Sequence, residues 1–214
     1  MVAWLHPSYS RFPLDERLWH KSGVSAHSRG RRVAAPLDQA RLEELALRYV
    51  GKYATTRAKL RSYLGRKLRE RGWAGERHPD VEALANRFAE LGYINDAAYA
   101  LAQSRSLAAR GYGNRRLADK LRLAGVDEDD REAARRYAER EAVTSAVRFA
   151  ERRRIGPYAS SAADRSQRDK WIAAMVRAGH GFAIARAIAM LEPGAALDLG
   201  ELNDRAACSK PNAD

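Results

Sequence analysis

Cysteine is nearly absent. Cys208 is the one cysteine among 214 residues, so the chain can build neither a disulfide framework nor a thiolate metal site, and a reducing compartment fits. Histidine is sparse too: His6, His20, His27, His78 and His180 stand isolated, without a His-x-x-x-His or His-Glu pair that would suggest a metal. No apolar run reaches the length of a membrane span, since the longest, residues 182–191, is interrupted by Arg186. The opening residues lack the basic-then-apolar order of a secretion signal because Pro7, Pro13 and Asp15 break it, and the expectation is a cytoplasmic protein. Convincing strand patterns are missing, as is any Gly-x-x-x-x-Gly-Lys-Ser/Thr phosphate loop. Ser104 and Ser106 have no neighbouring base, and the acidic run Asp127 to Asp130 begins a helix, where carboxylates cap and oppose the dipole. No catalytic constellation is visible, so the reading is of a protein that is not an enzyme and uses no cofactor or metal.

The chain is rich instead in positive charge. Lys and Arg number 39 against 27 Asp and Glu, giving +12 and a pI near 10.2, a balance expected of a protein that meets a polyanion or an acidic protein surface. A hydrophobic share of 45% is enough to bury a core.

The core it builds should be helical. Residues 37–53 place Leu42, Leu45, Ala46 and Tyr49 on one face, and 80–93 do the same with Val81, Leu84, Phe88 and Leu91. Asp38, Asp80 and Asn95 stand where helices should start, while Gly72, Gly92, Gly125 and Gly179 stand where they should stop. Three of these glycines expose a repeat with a period close to fifty residues. Apolar residues precede each by four and eight positions: Leu68 and Leu64 before Gly72, Leu121 and Leu117 before Gly125, Met175 and Trp171 before Gly179. The expected fold is therefore all-α, three tandem three-helix repeats over 39–92, 93–140 and 141–192 forming an elongated, curved array. A basic arm (1–38), anchored locally by Trp4, Phe12 and Trp19, and a flexible tail (193–214) would flank it.

The stretch Gly111-Tyr112-Gly113 invites a nucleotide-binding reading. It comes after a helical pattern instead of a strand, and Arg116 stands where a third glycine would be needed, so it is better read as a turn between helices with Asn114 capping the next one. Thr55 or Thr56 would cap the matching helix of the first unit. The helix after each turn is basic, with Arg57, Lys59, Arg61, Arg66, Lys67 and Arg69 in the first unit, then Arg115, Arg116, Lys120 and Arg122 in the second. Arg66, Arg69, Arg115 and Arg122 point away from the leucines of their helices, and Arg152, Arg153 and Arg154 close the first helix of the third unit. Stacked units present corresponding positions along one surface, so this stripe would track phosphates or an acidic groove, with Tyr112 adding stacking.

Residues 90–126 also resemble the central repeat of the RecX family, regulators of the recombinase RecA. The shared features are Gly92-Tyr93-Ile94-Asn95-Asp96, Tyr99, Ser104-Arg105, Gly111-Tyr112-Gly113, Leu117, Leu121 and Gly125-Val126, within a resemblance spanning roughly 41–192. The first unit lacks the Gly-x-Gly turn, and the third replaces it with Gly156-Pro157 and a longer connection. The resemblance implies a non-enzymatic modulator that lies in the groove of the RecA filament on single-stranded DNA, bridging protomers and suppressing ATP hydrolysis and strand exchange; a monomer that does not meet a membrane is the expectation beside it. The candidate filament- and DNA-binding residues are Arg57, Lys59, Arg66, Lys67, Arg69, Arg105, Arg110, Tyr112, Arg115, Arg116, Lys120, Arg122, Arg152, Arg153 and Arg154. A general nucleic-acid-binding helical protein, such as a helix-turn-helix regulator, is the alternative.

Overall fold

The computed structural model describes residues 35–208. The expected arm, including Trp4, Phe12 and Trp19, falls outside the described residues, apart from 35–38. The described residues form ten α-helices: α1 Gln39–Lys52, α2 Arg57–Arg71, α3 Val81–Glu90, α4 Asp96–Ala109, α5 Asn114–Leu123, α6 Glu128–Arg140, α7 Ala142–Arg153, α8 Arg165–Arg177, α9 Phe182–Ala189 and α10 Leu199–Cys208. A short 3-10 turn, Gly156–Tyr158, lies between α7 and α8. Side-chain caps fix many of the starts: Asp38, Thr56, Asp80, Asn95 and Asp164 each accept a hydrogen bond from the backbone N–H three residues on.

Burial divides the helices into three sets, each around its own apolar cluster. Leu42, Leu60, Leu64, Leu84 and Phe88 fill the first, Tyr99, Leu107, Leu117, Leu121 and Ala134 the second, and Phe149, Ile172, Met175, Ile184 and Ile188 the third. Each fully buried aliphatic side chain contributes about 2 kcal/mol. The leucines four and eight positions before the repeat glycines are the second helices' share of these clusters. Trp171 is the exception, only half-buried in a slot where Leu64 and Leu117 are buried.

The second helices are chained end to end. At the first joint the Thr56 hydroxyl, while capping α2, donates to the carbonyl of Ala124 at the end of α5, 2.6 Å away. At the second joint Gly113 N donates to Ala178 O (3.0 Å) and Arg115 N to Gly179 O (3.2 Å), so the start of α5 meets the end of α8. Glycine is required at both meeting points. Gly125 (φ 64°) lies against Ala58 of α2, and a Cβ on Gly179 (φ 96°) would meet Arg116 N at 2.6 Å. The free end of α2 is closed by the chain itself: Leu37 N donates to Gly72 O (3.0 Å) and Leu37 O accepts from Ala74 N (2.8 Å). Leu37 thus does for α2 what Arg115 does for α8.

Three sequence expectations need correcting. Asn114 is the first residue of α5 and not its cap; the cap is Gly113, which makes no side-chain bond, and the next unit's Gly179 carbonyl takes up the N–H of Arg115. Asp127 heads α6 without a side-chain cap bond, because its carboxylate turns to Arg57. The expected flexible tail contains α10, whose Leu202 is buried among α7 and α9 in the third cluster. Surrounding Gly, Ala and polar residues hide its amphipathic spacing in the sequence.

Candidate nucleic-acid interface

The fifteen candidate residues part into those that the molecule uses internally and those it leaves facing outward. Arg57 belongs to the first group. Its guanidinium bonds Asp96 (3.0 Å), Asp127 (3.1 Å) and Asp130 (2.9 Å), its backbone N–H donates to Asp96 (3.1 Å), and the Asp96 side chain is only 2% exposed. The Asp96 hydrogen bond in particular holds the Arg57 guanidinium above its ordinary pKa, so it is a permanent cation locking α2 to α4 and α6. Lys59 lies over the Tyr99 ring (4.4 Å) and donates to its hydroxyl. Both residues tie the first unit to the second.

Along α2 and α5 charge is partly answered locally. Lys67 and Arg66 reach Glu70 at 2.6 and 3.7 Å, and Arg122 reaches Asp119 at 2.6 Å, all one helical turn apart. Exposed pairs of this kind exchange easily with solvent and with phosphates. Arg69 and Arg115 are exposed and Lys120 is half-buried. Arg105 of α4 lies 5.8 Å from the ring centre of Tyr137 on α6. Ser104 beside it is buried and donates to Ala134 O (2.9 Å), which explains it as a clasp between α4 and α6.

The second joint gathers the rest. Tyr112, half-buried in the turn between α4 and α5, has the guanidinium groups of Arg116, Arg110 and Arg152 within 4.9, 5.7 and 5.8 Å of its ring centre. Arg152 also donates to Arg110 O (2.6 Å), and both Arg152 and Arg153 lie over Phe149. Arg154, the last of the run, takes left-handed backbone (φ 54°) and is exposed at the end of α7. Beneath the joint the His180 Nε2 meets Gly111 O at 3.1 Å; a carbonyl only accepts, so this nitrogen carries the proton. Burial lowers the pKa of His180 to about 4, although the Gly111 bond opposes the shift, so the ring is neutral at pH 7.

Between α5, α7 and α8 this arrangement leaves a cleft of about 430 Å³. Arg116, Arg152, Arg153 and Arg177 line it with Tyr112 and Trp171, and among the described residues no carboxylate does. Sequence pattern alone does not single out Arg177 and Trp171 as site residues. The available signal is Trp171 itself: an indole in a slot that elsewhere holds leucine is too large to be swallowed by the core.

Among the described residues no three His, Cys, Asp or Glu side chains group to hold a metal ion, and no described helix is long and apolar enough to cross a membrane. Three-helix units chained through their second helices, with arginines concentrated at one joint, define an all-helical repeat protein. The family profile described as "RecX, second three-helix domain" matches residues 95–134. Regulatory protein RecX of Myxococcus xanthus (strain DK1622) is 34% identical over 155 residues, covering 69% of this chain and 83% of that protein. Regulatory protein RecX of Thermobifida fusca (strain YX) is 40% identical over 105 residues, 47% of this chain and 52% of that one. A crystal structure of RecX from Lactobacillus salivarius shares the fold with a TM-score of 0.51 at 22% identity, covering 70% of this chain and 92% of that one. The chain belongs to the RecX family.

Proposed function

We propose that this chain regulates a RecA-type recombinase in DNA repair, acting in the cytoplasm as a monomer that binds the filament on single-stranded DNA and inhibits its ATP hydrolysis and strand exchange. The observation that carries this reading, beyond family membership, is the head-to-tail chaining of α2, α5 and α8, which sets the exposed Arg66, Arg69, Arg115 and Arg116 on consecutive second helices with Arg152 and Arg153 beside them. A filament is itself a repeat of protomers and phosphates, and a repeat protein with cations at successive units engages several of them at once. Inhibition then needs no chemistry from this chain, only occupation of surfaces the recombinase must move.

The test is DNA-dependent ATP hydrolysis by the cognate recombinase, titrated with this protein well below one molecule per protomer. Inhibition at such ratios supports specific engagement. An effect only once the protein saturates the DNA makes it a competitor for the polyanion, as a general nucleic-acid-binding protein would be. The triple variant Arg115→Glu, Arg116→Glu, Arg122→Glu should stay folded and lose inhibition; unchanged inhibition removes the stripe from the account.

A further inference from the structure

The cleft at the second joint has a composition that a merely solvated arginine face does not need. Four arginines of α5, α7 and α8 line one concavity, with Trp171 half-buried in its wall and, among the described residues, no acidic residue lining it. The first joint, built from the same repeat positions, spends its charge differently: Asp96, Asp127 and Asp130 neutralise Arg57 there. Unanswered cations held close together repel one another and persist where an anion supplies the missing charge.

We propose that this cleft binds one unstacked nucleotide of a single-stranded nucleic acid, with the base against Trp171 and the phosphodiester between Arg116 and Arg177. The volume of about 430 Å³ lies in the lower part of the range of small-ligand sites, roughly 300–1,000 Å³, which suits one nucleotide. Guanidinium groups pair with phosphate oxygens through two parallel hydrogen bonds, and an indole offers a planar face to any base. An acidic peptide would satisfy the arginines and leave the indole without a planar partner. A duplex presents phosphates but keeps its bases stacked inside. The proposal rests on the function proposed above in one respect only, that the polyanion met by this chain is a nucleic acid.

The experiment uses the full chain with no recombinase present. Binding of a fluorescent oligo-dT and of a duplex of equal length is measured by anisotropy, and the oligo-dT complex is crosslinked with ultraviolet light and its peptides mapped. The expected results are preference for the single strand and crosslinks within 109–116 or 171–178. Trp171→Leu, which keeps every charge, weakens binding by roughly tenfold, in line with the loss of one stacked base, and Trp171→Phe restores most of it. Arg116→Glu with Arg177→Glu weakens it further, while Arg48→Glu with Arg135→Glu, an equal charge change on exposed residues away from the cleft, has a much smaller effect. Equal affinity for duplex, crosslinks confined to other segments, or a folded Trp171→Leu protein that binds as the parent does would each overturn the proposal. Should Trp171→Leu not fold, the crosslink map decides. Because the recombinase is absent, a negative result leaves inhibition of ATP hydrolysis to be judged by its own titration, and failure of that titration leaves the cleft standing.

Discussion

The two joints between units are made by the same piece of geometry, the start of one second helix against the glycine-terminated end of the next, yet they use opposite chemistry. At the first, Thr56 and Arg57 bring polar side chains to the contact, and three carboxylates of the second unit receive the guanidinium. At the second, Gly111 and Gly113 bring bare backbone, so close that a Cβ on Gly111 would stand 2.9 Å from Phe149 N, and the arginines are left outside the contact around Tyr112. Cations drawn into an interior ion network cannot also serve a partner. What separates the locked Arg57 from the outward-facing arginines of the second joint is that its neighbouring unit supplies acid.

The contrast between the joints breaks most severely where backbone meets backbone. Gly179→Val forces a β-branched residue to φ 96° with its Cβ on Arg116 N, and should cost about 4 kcal/mol. Gly194→Val, also at positive φ (78°) but with nothing within 4 Å, should cost only the backbone strain of about 1 kcal/mol. Thermal midpoints of the two variants decide: equal drops would mean that the joint contributes nothing beyond strain.

Protonation attacks the same joint. His180 has a folded-state pKa of about 4 against an ordinary value of 6.5, so the neutral ring's contribution is fully present above pH 6.5. It is lost as pH falls from there to about 4, by about 3 kcal/mol in all. Denaturant unfolding at pH 7 and pH 4, compared between the parent and His180→Gln, isolates this share; identical pH dependence would contradict it.

The first joint should respond to charge instead. Asp96→Ala removes the buried acceptor of both the Arg57 side chain and backbone N–H, for about 2 kcal/mol, whereas Asp127→Ala, at a side chain 75% exposed, should cost less than about 0.5 kcal/mol. Similar losses for the two would deny Asp96 its special place. Smallest of all, Arg122→Ala breaks only an exposed pair with Asp119 and should shift stability by about 0.3 kcal/mol or less.

Much of this architecture is legible in the sequence because it is local. The glycines, the caps at Asp38, Asp80 and Asn95, and the leucine spacing are rules of a few residues, and they place three helices in each unit. The features that escape the sequence depend on partners far along the chain. Asn114 has the chemistry of a cap but yields to Gly113, because Gly179, distant in sequence, supplies the acceptor. Arg57 is indistinguishable by pattern from Arg66 until Asp96 and Asp130 are brought beside it. Trp171 reads as one more core position, and only the folded chain shows it lining the cleft while it packs against the third cluster. The helix α10 is short and polar, and its one deeply buried leucine gains meaning only from α7 and α9.

The proposed regulatory surface lies at the second joint and not at the first. Its most direct test is the recombinase's DNA-dependent ATP hydrolysis, titrated with the parent protein and with Arg116→Glu/Arg177→Glu, a variant expected to keep the parent's fold because both side chains are exposed. Inhibition by the parent is expected below one molecule per protomer, with roughly tenfold more of the variant required, the equivalent of about 1.4 kcal/mol. Equal inhibition by both proteins would contradict it.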